Sequence, residues 1–314
     1  MPNLPAPDLG WDRQVPSMSV TTICIPAYKA ERFLAEALDS VRRQTFQDWE
    51  LIVTEDGSDD GTEGLVAEFA ESVSQTVRFH RHEKNKGLPA TRNSGIAEAR
   101  GEWIALLDAD DYWAAEHLAD LMAKLAETKA DVVHSGSILF DSDSGQTLEI
   151  RAPTADAVRD FPRSLFVADY IIQPASVVLS KALWTRVGGF DESFHHVEDR
   201  EMWLRCARAG ARFAFTGRNT CHYRRHAGAL STQAAEMAIA GARVFERHLD
   251  WAEIPQELRV RSAVDTWVAG ARILQRAEPR RASELLLRAQ RISPRFDRLL
   301  WVFALRLYSL FKGK

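Results

Sequence analysis

Between Val20 and Leu107 four short apolar runs alternate with three stretches of helical periodicity, and that alternation leaves few folds open. The runs at 20–26, 49–54, 76–80 and 101–107 are closed by Pro, Gly, Asp or other turn residues, which predicts buried strands. Residues 31–44, 62–72 and 88–99 carry helical spacing; in the first, Phe33, Leu34, Ala37, Leu38 and Val41 share one face. Strand, helix, strand, helix at this rhythm predicts an α/β fold with a mostly parallel sheet flanked by helices. Ligands of such sheets bind beyond the carboxyl ends of the strands, and Pro26-Ala27-Tyr28, Asp56 and Asp108-Ala109-Asp110-Asp111 all fall at that edge.

The aspartate cluster closes the apolar run Trp103-Ile104-Ala105-Leu106-Leu107. A strand ending in Asp-x-Asp holds two carboxylates where they can share a divalent cation. Magnesium and manganese prefer such hard oxygens, supplemented by substrate phosphates. Bulk properties narrow the partners. A formal charge of −4 gives no electrostatic case for nucleic acid. Cys24, Cys206 and Cys221 have no paired spacing, so neither a disulfide framework nor a zinc site is expected, and a reducing, cytoplasmic compartment is the simplest home. Residues 1–18 lack the charged and apolar regions of a signal peptide and read as a tail. No stretch reaches the roughly eighteen uninterrupted apolar residues of a spanning helix.

Further along, 114–129 predicts a helix, 131–140 a strand, 141–162 a mobile excursion and 175–179 a strand. Residues 190–196 read as a loop, and 199–209 as a helix with Trp203, Leu204 and Cys206 inward. Beyond Thr232 the pattern is helical, broken at Pro255, Pro279 and Pro294, with Ser293 as the expected cap of the last helix. The domain division expected is a tail (1–18), a catalytic domain (19–229) and a helical C-terminal region (230–314).

Six motifs in order carry a resemblance: Ile25-Pro26-Ala27-Tyr28; Asp56-Gly57-Ser58-Asp59-Asp60-Gly61-Thr62; Asn85-Lys86-Gly87 through Arg92-Asn93; Leu107-Asp108-Ala109-Asp110-Asp111; Gly188-Gly189-Phe190-Asp191-Glu192; and Glu198-Asp199. Over roughly residues 20–231 the chain resembles a family 2 glycosyltransferase of the GT-A, Rossmann-like fold, a family that inverts the anomeric centre of nucleotide-diphospho-sugars. The resemblance implies a nucleotide-sugar site containing Pro26, Ala27, Tyr28, Glu31, Asp56, Arg92 and Asp108, with Asp56 accepting the imide N–H of a uracil. Arg92 resembles the family's base- or phosphate-contacting arginine; a helix-surface arginine is the plainer alternative. It implies a divalent cation, Mn²⁺ or Mg²⁺, on Asp110 with Asp108, and His226 (or His222 or Arg224) closing over metal or phosphate. Asp111 is expected behind these ligands or solvated. Asp199 resembles the catalytic base, with Glu198 beside it; the plainer reading is a carboxylate favoured by a helix N-terminus. The acceptor implied is a glycan or lipid-linked saccharide in cell-surface polysaccharide synthesis. Glu55 stands where the family more often has Asp. Arg200 stands where an aromatic is common, suggesting an anionic acceptor or else a surface arginine.

Competing classes lack their signatures. A nucleotidyltransferase would open with a Gly-rich loop, and a dinucleotide-binding oxidoreductase with Gly-x-Gly-x-x-Gly, yet Pro26-Ala27-Tyr28-Lys29-Ala30 has no glycine. A processive synthase would need spanning helices and Gln-x-x-Arg-Trp. A degenerate carbohydrate-binding relative would have no need of Asp199. The apolar segment 296–311, with Arg298, Arg306, Lys312 and Lys314 within or beside it, fits packing on the protein, a peripheral contact with the inner membrane face, or dimerisation.

Overall fold

A computed structural model describes residues 21–167, 170–228 and 232–312. The expected tail 1–18, Val20 and the boundary at Ala229 lie outside them. The chain runs β1 (Thr21–Ala27), α1 (Glu31–Arg42), β2 (Trp49–Glu55), α2 (Thr62–Ser72), β3 (Val77–Arg81), α3 (Leu88–Glu98), β4 (Trp103–Leu106), β5 (Tyr112–Trp113), α4 (His117–Thr128) and β6 (Val132–Asp141). It continues through β7 (Thr147–Arg151), α5 (Ala155–Arg159), β8 (Val177–Ser180), α6 (Lys181–Val187), α7 (Glu198–Arg208) and β9 (Phe213–Arg225). The end is helical: α8 (Ala234–Arg247), α9 (Gln256–Leu274), α10 (Pro279–Ile292) and α11 (Phe296–Lys312).

By internal contact the chain forms two units. The first comprises residues up to Ala152, Ile172–Glu192 and Ala209–Arg225; the second comprises Pro153–Ile171, Ser193–Arg208 and the residues from His226. The α7 helix, with Glu198 and Asp199, therefore belongs to the second unit.

The first unit holds one sheet in the order β3-β2-β1-β4-β8-β6-β9-β5, with β7 beside β6. β3, β2, β1 and β4 are parallel, as the strand–helix alternation requires. Every residue of β1 and β2 is buried, the pattern of parallel strands covered on both faces. β8 then pairs antiparallel with both β4 and β6, and β9 runs parallel to β6 and antiparallel to β5, so the second half of the sheet is mixed. Ile23, Ile25, Leu34, Leu38, Val41, Leu51 and Val53 build the core between β1, β2 and α1.

Two expectations are corrected. Residues 141–162 are not a loose excursion: β7 pairs with β6, and α5 starts on Thr154, whose Oγ1 accepts the Ala157 N–H at 3.1 Å. Ser293 ends α10, donating its N–H to the Ala289 carbonyl, and does not start the last helix, which begins at Phe296. The long strand β9 has no counterpart in the sequence reading. In the second unit Trp267, Ala271, Leu274, Leu286, Val302 and Leu305 form the core among α9, α10 and α11.

Candidate active site

The site is built on the carboxyl ends of β1, β2 and β4, which the pairing of Ala27 with Glu55 and of Cys24 with Leu106 places side by side. After β2, Glu55 is fully buried and organises the turn: its carboxylate accepts the N–H groups of Gly57 (3.0 Å) and Ser58 (2.7 Å) and pairs with Arg81. Gly57 adopts φ +74°, and a Cβ there would meet the Lys84 carbonyl carbon at 2.6 Å, so this position demands glycine. Glu31 locks the loop after β1 onto the same turn. Its backbone N–H donates to Asp60 (3.1 Å), and its carboxylate accepts the Gly61 N–H (3.2 Å). Between the two loops lies an open cavity of about 610 Å³ lined by Lys29, Glu31, Arg32, Asp59 and Asp60. Tyr28 beside it is half exposed, with the Lys29 ammonium 5.3 Å from its ring centre.

Asp56 does not cap α2, since the Thr62 N–H is donated to Asp60. Asp56 is buried and accepts the amides of Lys86 (2.9 Å) and Gly87 (2.8 Å), while His82 lies 2.7 Å away. The other imidazole nitrogen reaches Ser94 on α3 at 2.9 Å. The three Asp56 contacts use three of the roughly four acceptor positions of a carboxylate. His82 was missed in the sequence; its signal is its place just past the end of a parallel strand.

Five residues on from Gly87, about 7.5 Å along the helix, Arg92 projects from α3. It is buried, not the surface arginine that helical position alone allowed. Its Nη2 donates to Asp108 Oδ1 at 2.6 Å, and its guanidinium lies 5.4 Å from the Phe190 ring. Asn93 clamps the Gly-Gly-Phe motif, donating to the Phe190 carbonyl and accepting the Phe190 N–H, each at 2.8 Å. Gly189 has φ +73° with Asn93 Oδ1 2.8 Å from where a Cβ would stand, which explains the glycine. Thus α3 joins three of the sequence motifs: Asp56 at its start, Asp108 through Arg92, and 188–192 through Asn93.

In the acidic cluster Asp108 keeps partial exposure, whereas Asp111 is buried, contrary to the expectation that it could be solvated. Asp111 Oδ1 accepts the Arg224 N–H at 2.8 Å, and Oδ2 has no hydrogen-bond partner among the described residues. Burial, then the charges of Asp110 and Asp108, push its carboxyl well above the usual range. Such an orphaned buried oxygen is costly unless protonated or balanced by a cation, and the all-oxygen donor set suits Mg²⁺ or Mn²⁺. No group of three or more His, Cys, Asp or Glu able to hold a metal occurs among the described residues.

Arg224 is a second residue that sequence reasoning placed differently. It is buried, donates from Nε to the Asp110 carbonyl (2.7 Å), and pairs with Glu36. Its guanidinium lies 4.8 and 4.7 Å from the Phe33 and Phe140 rings. It braces the acidic loop from behind. His222 stacks on Tyr112 at 4.3 Å, and burial lowers its pKa. His226 follows β9, half-buried, in the second unit.

In the second unit, Asp199 opens α7 and its Oδ1 accepts the Arg200 N–H at 2.7 Å. Glu198 is buried. Glu201 is fully buried and anchors the helix through Arg205 (2.7 Å) and Arg247 (3.0 Å). Val197, just before Glu198, has φ +61°, an outlier for a β-branched residue and a sign of stored strain. Arg200 is half-buried, its guanidinium 5.7 Å from the Phe245 ring, and burial lowers its pKa against the opposing effect of Asp199.

Comparison with known proteins matches residues 22–173 to the family model "Glycosyl transferase family 2", and 103–259, half the chain, to "Glycosyl transferase family group 2". The chain belongs to glycosyltransferase family 2. Similar proteins include an uncharacterised glycosyltransferase of Rickettsia typhi, 26% identical over 196 residues, 61% of this chain and 60% of that protein. The chain thus spans about three fifths of that relative's length. WfgD of Escherichia coli, a UDP-Glc:alpha-D-GlcNAc-diphosphoundecaprenol beta-1,3-glucosyltransferase, is 28% identical over 59% of this chain and 68% of its own. Among solved structures, S. aureus TarS 1–349 with UDP-GlcNAc superposes at a TM-score of 0.65 with 17% identity, covering 92% of this chain and 91% of that one. The Pyrobaculum calidifontis mannosyltransferase PcManGT, with GDP-Man and Mn²⁺, gives 0.60 and 18%, covering 97% and 93%. These likenesses establish the α/β fold of this family 2 glycosyltransferase, with its C-terminal helices. No described helix is long and apolar enough to cross a membrane.

Proposed function

We propose that this glycosyltransferase moves a sugar from a nucleotide-diphospho-sugar, a UDP-sugar by preference, to a hydroxyl of a glycan or lipid-linked saccharide, inverting the anomeric centre. The observation that carries the reading is α3, which ties Asp56 at its N-terminus and Asp108 through Arg92 at the carboxyl edge of parallel strands. That edge is where such sheets bind nucleotides. In this reading the exposed Tyr28 face and the remaining acceptor position of Asp56 receive the base, while Pro26 and Ala27 line the loop that Glu31 secures. Arg92 sets the orientation of Asp108 toward the ribose and keeps one of its oxygens engaged.

Asp110, with Asp108, would hold a divalent cation, His226 being a further candidate ligand. That ion supplies charge neutralisation of the departing diphosphate. Arg224 fixes the backbone that presents Asp110. Asp199, kept ionised by the N-terminus of α7, takes the proton of the acceptor hydroxyl as that oxygen bonds to the anomeric carbon. The anomeric C–O bond breaks on the opposite face, and its electron pair leaves with the nucleoside diphosphate. Positioned general-base help of this kind is worth about 10²–10⁴-fold. The lipid-linked substrate named for WfgD supports that acceptor class, and UDP-GlcNAc on TarS and GDP-Man on PcManGT support the donor class.

The test is release of nucleoside diphosphate from UDP-, GDP- and dTDP-sugars with manganese, beside Asp110→Ala and Asp199→Asn. Turnover of one donor that needs metal and Asp110 is expected. Absence of both turnover and metal-dependent nucleotide binding across the panel would refute the reading in favour of a degenerate relative.

A further inference from the structure

Helix α11 is apolar on two opposite faces. Val302 and Leu305 are buried in the core shared with α9 and α10, and Arg298 is buried among the Ala289 and Ser293 carbonyls. On the other side Phe296, Leu299, Leu300, Phe303, Leu307 and Leu310 are 44–75% exposed. At 100° per residue these six fall within an arc of about 100°, along some 21 Å of helix. A packed helix needs one apolar face, and this one has two. A continuous apolar stripe of this extent on a soluble surface marks an interaction site.

The charge around it identifies the partner. Residues 270–314 contain eleven Lys and Arg against three Asp and Glu, a net of +8 in a chain whose total is −4. The remaining 269 residues therefore carry −12. Exposed Arg288 and Arg291 on α10 and Arg306, which adjoins Leu299 on the helical wheel, belong to this basic end. Pairing two copies through the stripe would bring two +8 tails together within the reach of their repulsion. An anionic bilayer surface instead satisfies both features, since the apolar face enters the acyl boundary while the arginines meet the headgroups. We infer that α11 lies in the plane of an anionic membrane interface, with Phe296, Leu300, Phe303 and Leu307 inserted and the exposed Arg288, Arg291 and Arg306 at the headgroups. The inference rests on α11 and the basic residues around it, independently of the proposed donor chemistry, and its test is separate from donor turnover.

The test is flotation of the full chain with vesicles of phosphatidylcholine alone, or containing about 30% phosphatidylglycerol. Flotation at least about tenfold stronger with the anionic vesicles, weakened by salt, is expected. The variant Leu300→Glu/Phe303→Glu should stay at the bottom of the gradient, and because both side chains are exposed its melting temperature should be unchanged. A second readout does not depend on that variant folding. In Phe303→Cys carrying an environment-sensitive dye, emission should shift to the blue with anionic vesicles only. The three native cysteines are buried and will not compete for the label. Equal flotation by wild type and variant, a dye that stays in water, or a dimer lost on Leu300→Glu/Phe303→Glu with no flotation would each overturn the inference. The last would assign the stripe to a second copy.

Discussion

Replacing Arg92 by Met deletes the guanidinium that donates to Asp108 at 2.6 Å while keeping most of the apolar length over Phe190. The Arg92 side chain is 1% exposed and that of Asp108 19%, so the interaction is scarcely screened by solvent. Removing one member of a buried ion pair costs about 3–5 kcal/mol. The partial exposure of Asp108 lets water replace part of the loss, which puts Arg92→Met near the lower limit, about 3 kcal/mol. Asp108→Asn should cost about 2 kcal/mol, because a neutral acceptor remains and the buried cation still faces an aromatic ring. The double variant should cost less than the sum, with a coupling of about 2 kcal/mol. The assay is urea unfolding of the four proteins, comparing midpoints only while the m-value stays constant. Nucleotide affinity across the same cycle reports whether the pair also orients Asp108. A coupling below about 0.5 kcal/mol would refute the argument that Arg92 exists to hold Asp108.

Four further outcomes are expected. Asp110→Ala should abolish any Mn²⁺-dependent rise in melting temperature in the presence of nucleoside diphosphate, measured by scanning fluorimetry; an undiminished rise would remove Asp110 from the site. Gly189→Ala should cost about 1–3 kcal/mol, since φ is +73° and its methyl group would meet Asn93 Oδ1 and the Trp184 ring; neutrality in thermal unfolding would contradict the clash. Val197→Gly should relieve strain of order 1 kcal/mol, yet slow donor turnover if the strained turn aims Asp199; equal turnover would make the strain incidental. Burial holds His117 at a pKa of about 3 and His134 at about 4, so both are neutral in the fold while the unfolded chain protonates them below about pH 6.5. The unfolded state then binds more protons. The stabilising contribution is complete above pH 6.5 and is lost as pH falls toward 4 and 3, by on the order of 3 kcal/mol for His134 and 5 kcal/mol for His117. His134→Phe should flatten the acid limb of stability against pH, and parallel curves for the two proteins would count against it.

Where the sequence was legible, the determining interactions are local. β1, β2 and β4 are short, almost wholly buried runs, and the turns after β2 and β4 carry the Gly, Asp and Ser residues that mark a strand end in sequence. β7 does alternate polar and apolar residues (Thr147-Leu148-Glu149-Ile150-Arg151), but the run is only five residues long, four of them exposed, and it sits among turn-forming residues that read as loop. β9 hid for a related reason: Thr216-Gly217-Arg218-Asn219 interrupts it, and its register with β6 shifts there. Side-chain roles failed wherever the partner is distant in sequence. His82 meets Asp56 across 26 residues, and Arg224 meets Glu36 across 188. No periodicity encodes such pairs, although Arg92 shows that a residue picked out by a motif can still be far more buried than its helix position suggests. The most telling departures are those that local energetics oppose. Val197 adopts positive φ immediately before Glu198 and Asp199, and Lys29 does so immediately after Tyr28. A fold that was free to relax would place glycine or asparagine there. Strain kept beside the residues proposed to handle acceptor and base is expected when the backbone serves the geometry of a site at the expense of its own preference.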